Sequence, residues 1–414
     1  MLKHIFFVSH SGKQYVHRFI QALLSNNYEV RFCTPLWWQK VPAWLNILPG
    51  RLKKKLLNEI RKKSFSFKGS ISLVEQPTLI LKKELRDRNP FIRQKSYGQF
   101  LLEQEHDLFA ARELVRAPLP LVIGYEISSL YTFQQAKKNN VITVLDLAQV
   151  HYKTINNIAN QFSAMLFILD NPELQNIEQR KQKEYDLADY IMTLSSFARE
   201  TMIKEGIPED KLYEVHLGFD VQLFTPKTTY SAHGPLRIMI CGTDMVRKGL
   251  GMLLEVVQRM ESDGFELELI IIGPISEVEG IITKHGTTKR LISLPFMPHE
   301  ELVQQYQKAD VFVFPSYLDS WAMTVLESMA CGTPVVVTEN TGSKDAVRKG
   351  GGMVIETGSK DALMDAIKTY YNNRSLIESD GRQARAVAME YTWDNYYKEI
   401  GIVMEDIRRK SGLN

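Results

Sequence analysis

Asp319 and Glu327 stand eight positions apart in a run that goes from Pro315 to Val337. Val311 to Phe314 read as a buried strand, and the residues around Glu327 as a short helix. Gly332 after its last turn and Pro334 just beyond are stop signals with a steric cause, and a second apolar strand follows. Two carboxylates therefore bracket a helix N-terminus at the carboxyl end of a strand, where open parallel sheets bind ligands. Such a terminus offers free N–H groups to phosphate, here those of Met323 and Thr324. A nearby carboxylate accepts hydrogen bonds from a sugar diol. The combination implies a nucleotide-sugar site.

A second cluster supports that reading. Arg247-Lys248-Gly249 follows the strand end Cys241-Gly242, just as a helix begins. Two cations there oppose the helix dipole unless an anion joins them, and a broken local rule of this sort tends to mark a site. Either the pair clamps a diphosphate, or both side chains point into water. Glu327 either accepts from both ribose hydroxyls or answers the helix dipole. Asp319 either binds donor-sugar hydroxyls and steadies positive charge at the anomeric carbon, or is a loop aspartate near an N-cap.

The elements that must position these residues follow from the apolar pattern. The chain has 414 residues, 44% of them apolar and 24% charged, enough for two soluble domains with separate cores. Strands at Ile5–Val8, Val30–Cys33, Leu121–Gly124, Ile142–Leu145 and Ile191–Leu194 alternate with helices, as in a doubly wound domain. A second series runs through Leu236–Cys241, Leu267–Ile272, Leu291–Phe296, Val311–Phe314, Val335–Thr338 and Met353–Ile355. The breaker-rich segment from Phe224 to Pro235 reads as the linker. Residues 36–109 are basic and aromatic with little strand signal. Cys33, Cys241 and Cys331 form no paired framework and read as reduced, packed thiols of a cytoplasmic protein. No window approaches a membrane span, and a net charge of +3 is too small to imply nucleic acid.

With these blocks in view, the chain resembles the large family of retaining glycosyltransferases of group 1, family 4 type, with the GT-B fold. Asp319 to Glu327 with the Ser-Met-Ala-Cys-Gly-Thr-Pro that follows is similar to the family's Glu-x7-Glu signature. The segment Glu184 to Ser195, an acidic helix leading into a strand and Ser, the block Val215 to Asp220 with Phe224-Thr-Pro226, the Arg247-Lys248-Gly249 segment and Tyr391 to Tyr396 resemble family blocks in order. The departures are Asp319 for the first Glu, Ser320-Trp321-Ala322 for Gly-Phe-Gly, Thr243 where many members have Arg, and Leu217 for a common Asn. Arg247 would supply the charge that Thr243 lacks.

The resemblance implies two Rossmann-like domains facing across a cleft. An acceptor domain would span 1–226 and a donor domain 235–392, with a last helix near 395–414 crossing back to the first. It implies transfer of a sugar from a nucleoside diphosphate sugar to an acceptor hydroxyl with retention, in polysaccharide or glycolipid assembly, the acceptor being a saccharide or a lipid-linked one. Asp319, His151 and Lys248 would be catalytic, and Gly12, Arg247, Lys248, Met297, Met323, Thr324 and Glu327 would hold the donor. His151 would face the donor sugar, Gly12 would let the backbone near the diphosphate, and Met297 would sit by the base. With a cationic clamp and no Asp-x-Asp element, no metal and no cofactor are expected. A non-catalytic sugar-nucleotide-binding scaffold and a nucleotide-sugar epimerase are the alternatives. In residues 44–63, Leu52, Leu56 and Ile60 stripe a cationic helix below Trp37, Trp38, Trp44, Leu45 and Leu48. That helix either lies in an anionic membrane interface at the inner face or packs on the first domain.

Overall fold

The computed structural model describes residues 5–12, 15–35, 67–87, 95–117 and 119–413, with Gly50 and Lys53 besides. Lys13, the aromatics at 37, 38 and 44, and the basic stripe with Leu52, Leu56 and Ile60 lie outside the described residues.

Apolar runs make two sheets. In the first, β1 (Ile5–Ser9), β2 (Glu29–Thr34), β3 (Ile71–Glu75), β4 (Leu121–Tyr125), β5 (Ile142–Leu147), β6 (Tyr190–Thr193) and β7 (Leu212–Glu214) lie in the order 3-2-1-4-5-6-7. In the second, β8 (Leu236–Cys241), β9 (Leu267–Ile272), β10 (Leu291–Leu294), β11 (Val311–Phe314), β12 (Val335–Thr338) and β13 (Gly352–Ile355) lie in the order 10-9-8-11-12-13. Every pairing between these strands is parallel. Helices cover both faces, which is why β4 and β11 are buried along their whole length. The order reverses between β1 and β4 and between β8 and β11, the two places where a parallel sheet opens a crevice for ligands. This is the expected α/β class with two doubly wound sheets.

β3 falls in the stretch where the sequence shows little strand signal. It is an edge strand with Ser72, Leu73 and Glu75 exposed, so no burial pattern marks it. The helix Lys95–Arg116 follows and carries His106 and Asp107 into the interior.

The last helix, Trp393–Lys410, starts at Thr392, whose hydroxyl accepts from Asn395 N. Ile400, Val403, Met404 and Ile407 bury one stripe of it. That stripe lies against the first-sheet helix Val16–Ser25, where Asn26 Nδ2 donates to Tyr397 O at 2.7 Å. Across the seam between the sheets, Leu318 of the second packs with Val150, Phe197 and Ala198 of the first.

Candidate functional site

β8 ends at Cys241, and the chain turns through Gly242 to Asp244 before the helix Leu250–Ser262 begins. Gly242 has φ 143°, and a Cβ there would fall 1.9 Å from Lys248 Nζ. The lysine is therefore laid across bare backbone. It is 8% exposed, its Nζ stands 5.2 Å from the Phe314 ring centroid, and that Nζ makes no hydrogen bond among the described residues, while its backbone N donates to Asp244 O at 3.1 Å. Burial lowers its pKa, while Asp319 pulls the other way. An ammonium held in this state is poised for an anion.

Arg247 is differently placed. Its Nε donates to Asp244 Oδ2 at 2.7 Å, and its Nη1 donates to Leu318 O and to Asp319 Oδ2, the latter at 3.3 Å. The expectation of two open cations meets one guanidinium already holding two carboxylates. A diphosphate would have to compete with both for it. What Arg247 does in the protein itself is fix Asp319, whose Oδ1 also accepts from Trp321 N at 3.2 Å.

The helix Met323–Ala330 starts behind Ala322, which has φ 62° and ψ 73° in the left-handed region, and no side chain caps it. The amides of Met323 and Thr324 have no helical acceptor, as at any helix start, and Thr324 Oγ1 is buried without a partner. Glu327, one turn further, is buried and accepts from Tyr306 OH at 3.0 Å. Burial raises its pKa to about 7, against the pull of the Tyr306 hydroxyl and of Lys248.

The structure thus brings together Lys248, Asp319, Met323, Thr324 and Glu327 at the ends of β8 and β11, with Arg247 beside them. The other candidates share no hydrogen bond or ion pair with this group among the described residues. Met297 is half-buried beyond β10, next to Phe296, which is 53% exposed. Gly12 N donates to His10 Nδ1 at 2.8 Å, and a Cβ there would meet only the His10 ring, at 3.6 Å. Nothing in the described protein demands glycine at that point. His151 is buried, caps the helix Tyr152–Gln161 by accepting from Lys153 N at 3.2 Å, and lies on Tyr152 with ring centroids 4.6 Å apart. Burial lowers its pKa to about 4, so it is a neutral imidazole. No hydrogen bond among the described residues joins it to the second-sheet cluster.

Residues 229–387 match the family model for glycosyl transferases group 1. The match lies within the second domain and covers less than half of the chain. A D-inositol 3-phosphate glycosyltransferase of Paenarthrobacter aurescens (strain TC1) is 26% identical over 277 residues, 63% of this chain and 67% of that protein. The amylovoran biosynthesis glycosyltransferase AmsK of Erwinia amylovora is 24% identical over 228 residues, 52% of this chain and 56% of that protein. Among solved structures, the sucrose-phosphate synthase of Thermosynechococcus elongatus superposes with a TM-score of 0.71 over 99% of this chain and 100% of its own, at 16% identity. The HepE protein of Anabaena, solved with UDP, does so with a TM-score of 0.63 over 97% and 100%, at 15% identity. At such identities the likeness is one of fold, and the fold is the two-domain α/β arrangement called GT-B.

Three residues of the group 1 domain matter here that sequence reading passed over. Tyr306 positions Glu327, and its only trace in sequence is an aromatic on the helix His299–Lys308. Asp244 steers Arg247 from three residues away, a spacing that hints at the pair. Gly242 makes room for Lys248, and its sequence context shows only a strand end.

Proposed function

We propose that this group 1 chain transfers a sugar from a nucleoside diphosphate sugar to an acceptor hydroxyl, with retention at the anomeric carbon. The observation that carries the reading is the Lys248 ammonium, on a buried residue and without a hydrogen bond or ion pair among the described residues, beside an uncapped helix start and a buried acid. Lys248, the Met323 and Thr324 amides and the Thr324 hydroxyl would receive the diphosphate, and Glu327 would accept from the ribose diol. Asp319, held by Arg247, would meet the donor sugar. Retention and the roles of Asp319 and His151 rest on the family resemblance. That HepE was solved with UDP supports a uridine nucleotide as the first probe.

Catalysis in this scheme is electrostatic. Charge grows on the departing diphosphate, and donors already aimed at it stabilise that charge without reorganising. Domain closure over the donor would exclude water and so strengthen each of these interactions. The acceptor would enter from the first domain, and the family resemblance points to a saccharide or a lipid-linked saccharide.

Thermal-shift titration with uridine, guanosine and adenosine diphosphate sugars tests donor binding, since a ligand that binds only the folded chain raises its midpoint. Transfer to a panel of acceptors, with the anomer read by NMR, then tests the reaction. Binding without transfer to any acceptor would turn the reading into a sugar-nucleotide-binding scaffold, and product formed from donor alone into an epimerase. Activity is expected to persist in EDTA.

A further inference from the structure

The loop that carries Asp319 is laced to a neighbour. Asp319 N donates to Asn340 O at 2.9 Å and Gly342 N donates back to Asp319 O at 2.8 Å, with Asp319 and Thr341 paired as a single parallel bridge. The short helix Lys344–Val347 continues this unit. All of it belongs to the second domain, and it is docked on the first. Ser320 Oγ donates to Ala148 O at 2.6 Å, Ser195 Oγ to Ser320 O at 2.8 Å, and Trp321 Nε1 to Leu217 O at 3.2 Å. Gly342 lies so deep in this seam that a Cβ would stand 1.9 Å from Ser320 O and 2.5 Å from Ser195 Oγ.

Asp345 adds charge to the seam. Its Oδ2 accepts from Ser196 N at 2.8 Å and its Oδ1 from Ser196 Oγ. Ser196 opens a first-domain helix, Ser196–Lys204, so the second domain's carboxylate sits where the helix dipole favours an anion. The same Oδ2 is 3.7 Å from His216 Nε2, which is 3.0 Å from Glu214 Oε1. The groups facing His216 are Glu214 on its own segment, Asp345, and Glu399 of the last helix, which accepts from His216 N at 3.4 Å. Trp321 and Tyr391 complete the shell at ring-centroid distances of 4.8 and 5.4 Å, and Lys349 Nζ lies 4.9 Å from the Tyr391 ring centroid. Burial lowers the imidazole's pKa, but the Asp345 and Glu214 carboxylates beside it outweigh burial and raise it to about 9, without a well-formed hydrogen bond at Nε2.

We propose that Asp345 is a positioning residue for sugar transfer: it holds the second domain's Asp319 loop against the first domain, so that the place of Asp319 in the cleft depends on this contact. The inference rests on the donor-site reading above. The His216 contribution is fully present below its ordinary pKa of about 6.5 and is lost as pH rises through about 9.

Amide hydrogen exchange by mass spectrometry on the full chain tests it, with fragments resolving Ser196 and Gly342, together with UDP affinity and turnover. In Asp345→Ala both amides should exchange about tenfold faster or more, kcat should fall about tenfold or more, and UDP affinity should stay within about twofold because its groups lie in the second domain. Asp345→Asn, which still accepts from Ser196 N, should fall between and guards against a folding defect in the alanine variant. Faster exchange at Ser196 alone, with Gly342 protected and kcat intact, would reduce Asp345 to a helix cap and overturn the proposal. So would loss of Gly342 protection in wild type on adding EDTA, because Glu214, His216 and Asp345 have ligand atoms within 4.8 Å of one another and a metal would then be the tie. If wild type transfers no sugar, the donor reading fails, while exchange at Gly342 still decides whether Asp345 holds the loop.

Discussion

Both sheets bury charge near their switch points, and one cluster in each treats it differently, although Asp146 Oδ2 in the first sheet is also buried without a hydrogen bond. In the first, Asp107 Oδ1 accepts from Thr132 N at 2.8 Å and from its hydroxyl at 2.7 Å, while Oδ2 accepts from Tyr131 N at 2.7 Å and from Arg180. Glu184 takes the amides of Ile127, Ser129 and Leu130 at 2.6, 2.8 and 3.0 Å, with Arg180 Nε 3.4 Å away. Together they satisfy the start of the helix Leu130–Lys138 and leave no charge open. In the second, among the described residues, the Lys248 ammonium has no hydrogen bond or ion pair, Thr324 Oγ1 has no hydrogen bond, and the helix Met323–Ala330 has no capping side chain. Unequal satisfaction of charges on buried residues separates these two clusters, one structural and one open to a ligand.

Removing one charge from each region should break the molecule in different ways. Arg180→Ala strands two buried carboxylates, and a broken buried pair costs about 3–5 kcal/mol. A fall of that size in unfolding free energy is expected by urea titration. Lys248→Ala removes an unpaired charge, so the same titration should show no loss of stability. Turnover should instead fall about a hundredfold or more, the usual effect of losing one preorganised donor. Destabilisation by Lys248→Ala on the scale of Arg180→Ala would erase the contrast.

Glu327 sharpens it through pH. Its raised pKa means that ionising the folded protein is costly, so this residue's contribution to stability declines as pH rises from the ordinary carboxyl range of about 4.3 to about 7, and is level above that. Donor binding should run the other way, because only the carboxylate accepts from both ribose hydroxyls. UDP affinity is expected to strengthen as pH rises through about 7 and to lose that dependence in Glu327→Gln. The variant should bind about tenfold more weakly at pH 8, the worth of one charge-assisted hydrogen bond. Calorimetric titrations of both proteins at three pH values separate this from ionisation of UDP itself, which the two share.

What could be read in the sequence follows the same physics. Strands buried on both faces, such as β9 and β11, announce themselves as unbroken apolar runs, and Lys248 and Glu327 stand out as charges at element ends. The edge strand β3 has no buried face to write a pattern. In the Asp107–Arg180–Glu184 network, Asp107 lies 73 residues from Arg180 and 77 from Glu184, beyond the reach of spacing, though Arg180 and Glu184 themselves form an i,i+4 pair. Arg247 and Lys248 are adjacent in sequence, yet one is neutralised and the other open. That difference is set by Asp244, Asp319 and Gly242 in three dimensions.

Ala322 is the smallest lever on the comparison. At φ 62° it holds a conformation that an L-residue with a Cβ adopts at a cost of roughly 1 kcal/mol or more, and it does so just where the helix offers its free amides. Glycine would relieve that strain but would give the unfolded chain more freedom, which offsets part of the gain. Ala322→Gly is therefore expected to stabilise by about 1 kcal/mol or less, read as the shift of the urea midpoint at unchanged slope. If the strained turn serves only to aim the Met323 and Thr324 amides, the variant should keep UDP affinity within about twofold, because glycine occupies the same backbone well. A marked loss of affinity with no change in stability would mean that the alanine methyl itself shapes the diphosphate seat, and that the second domain's open charges are only part of what receives the anion.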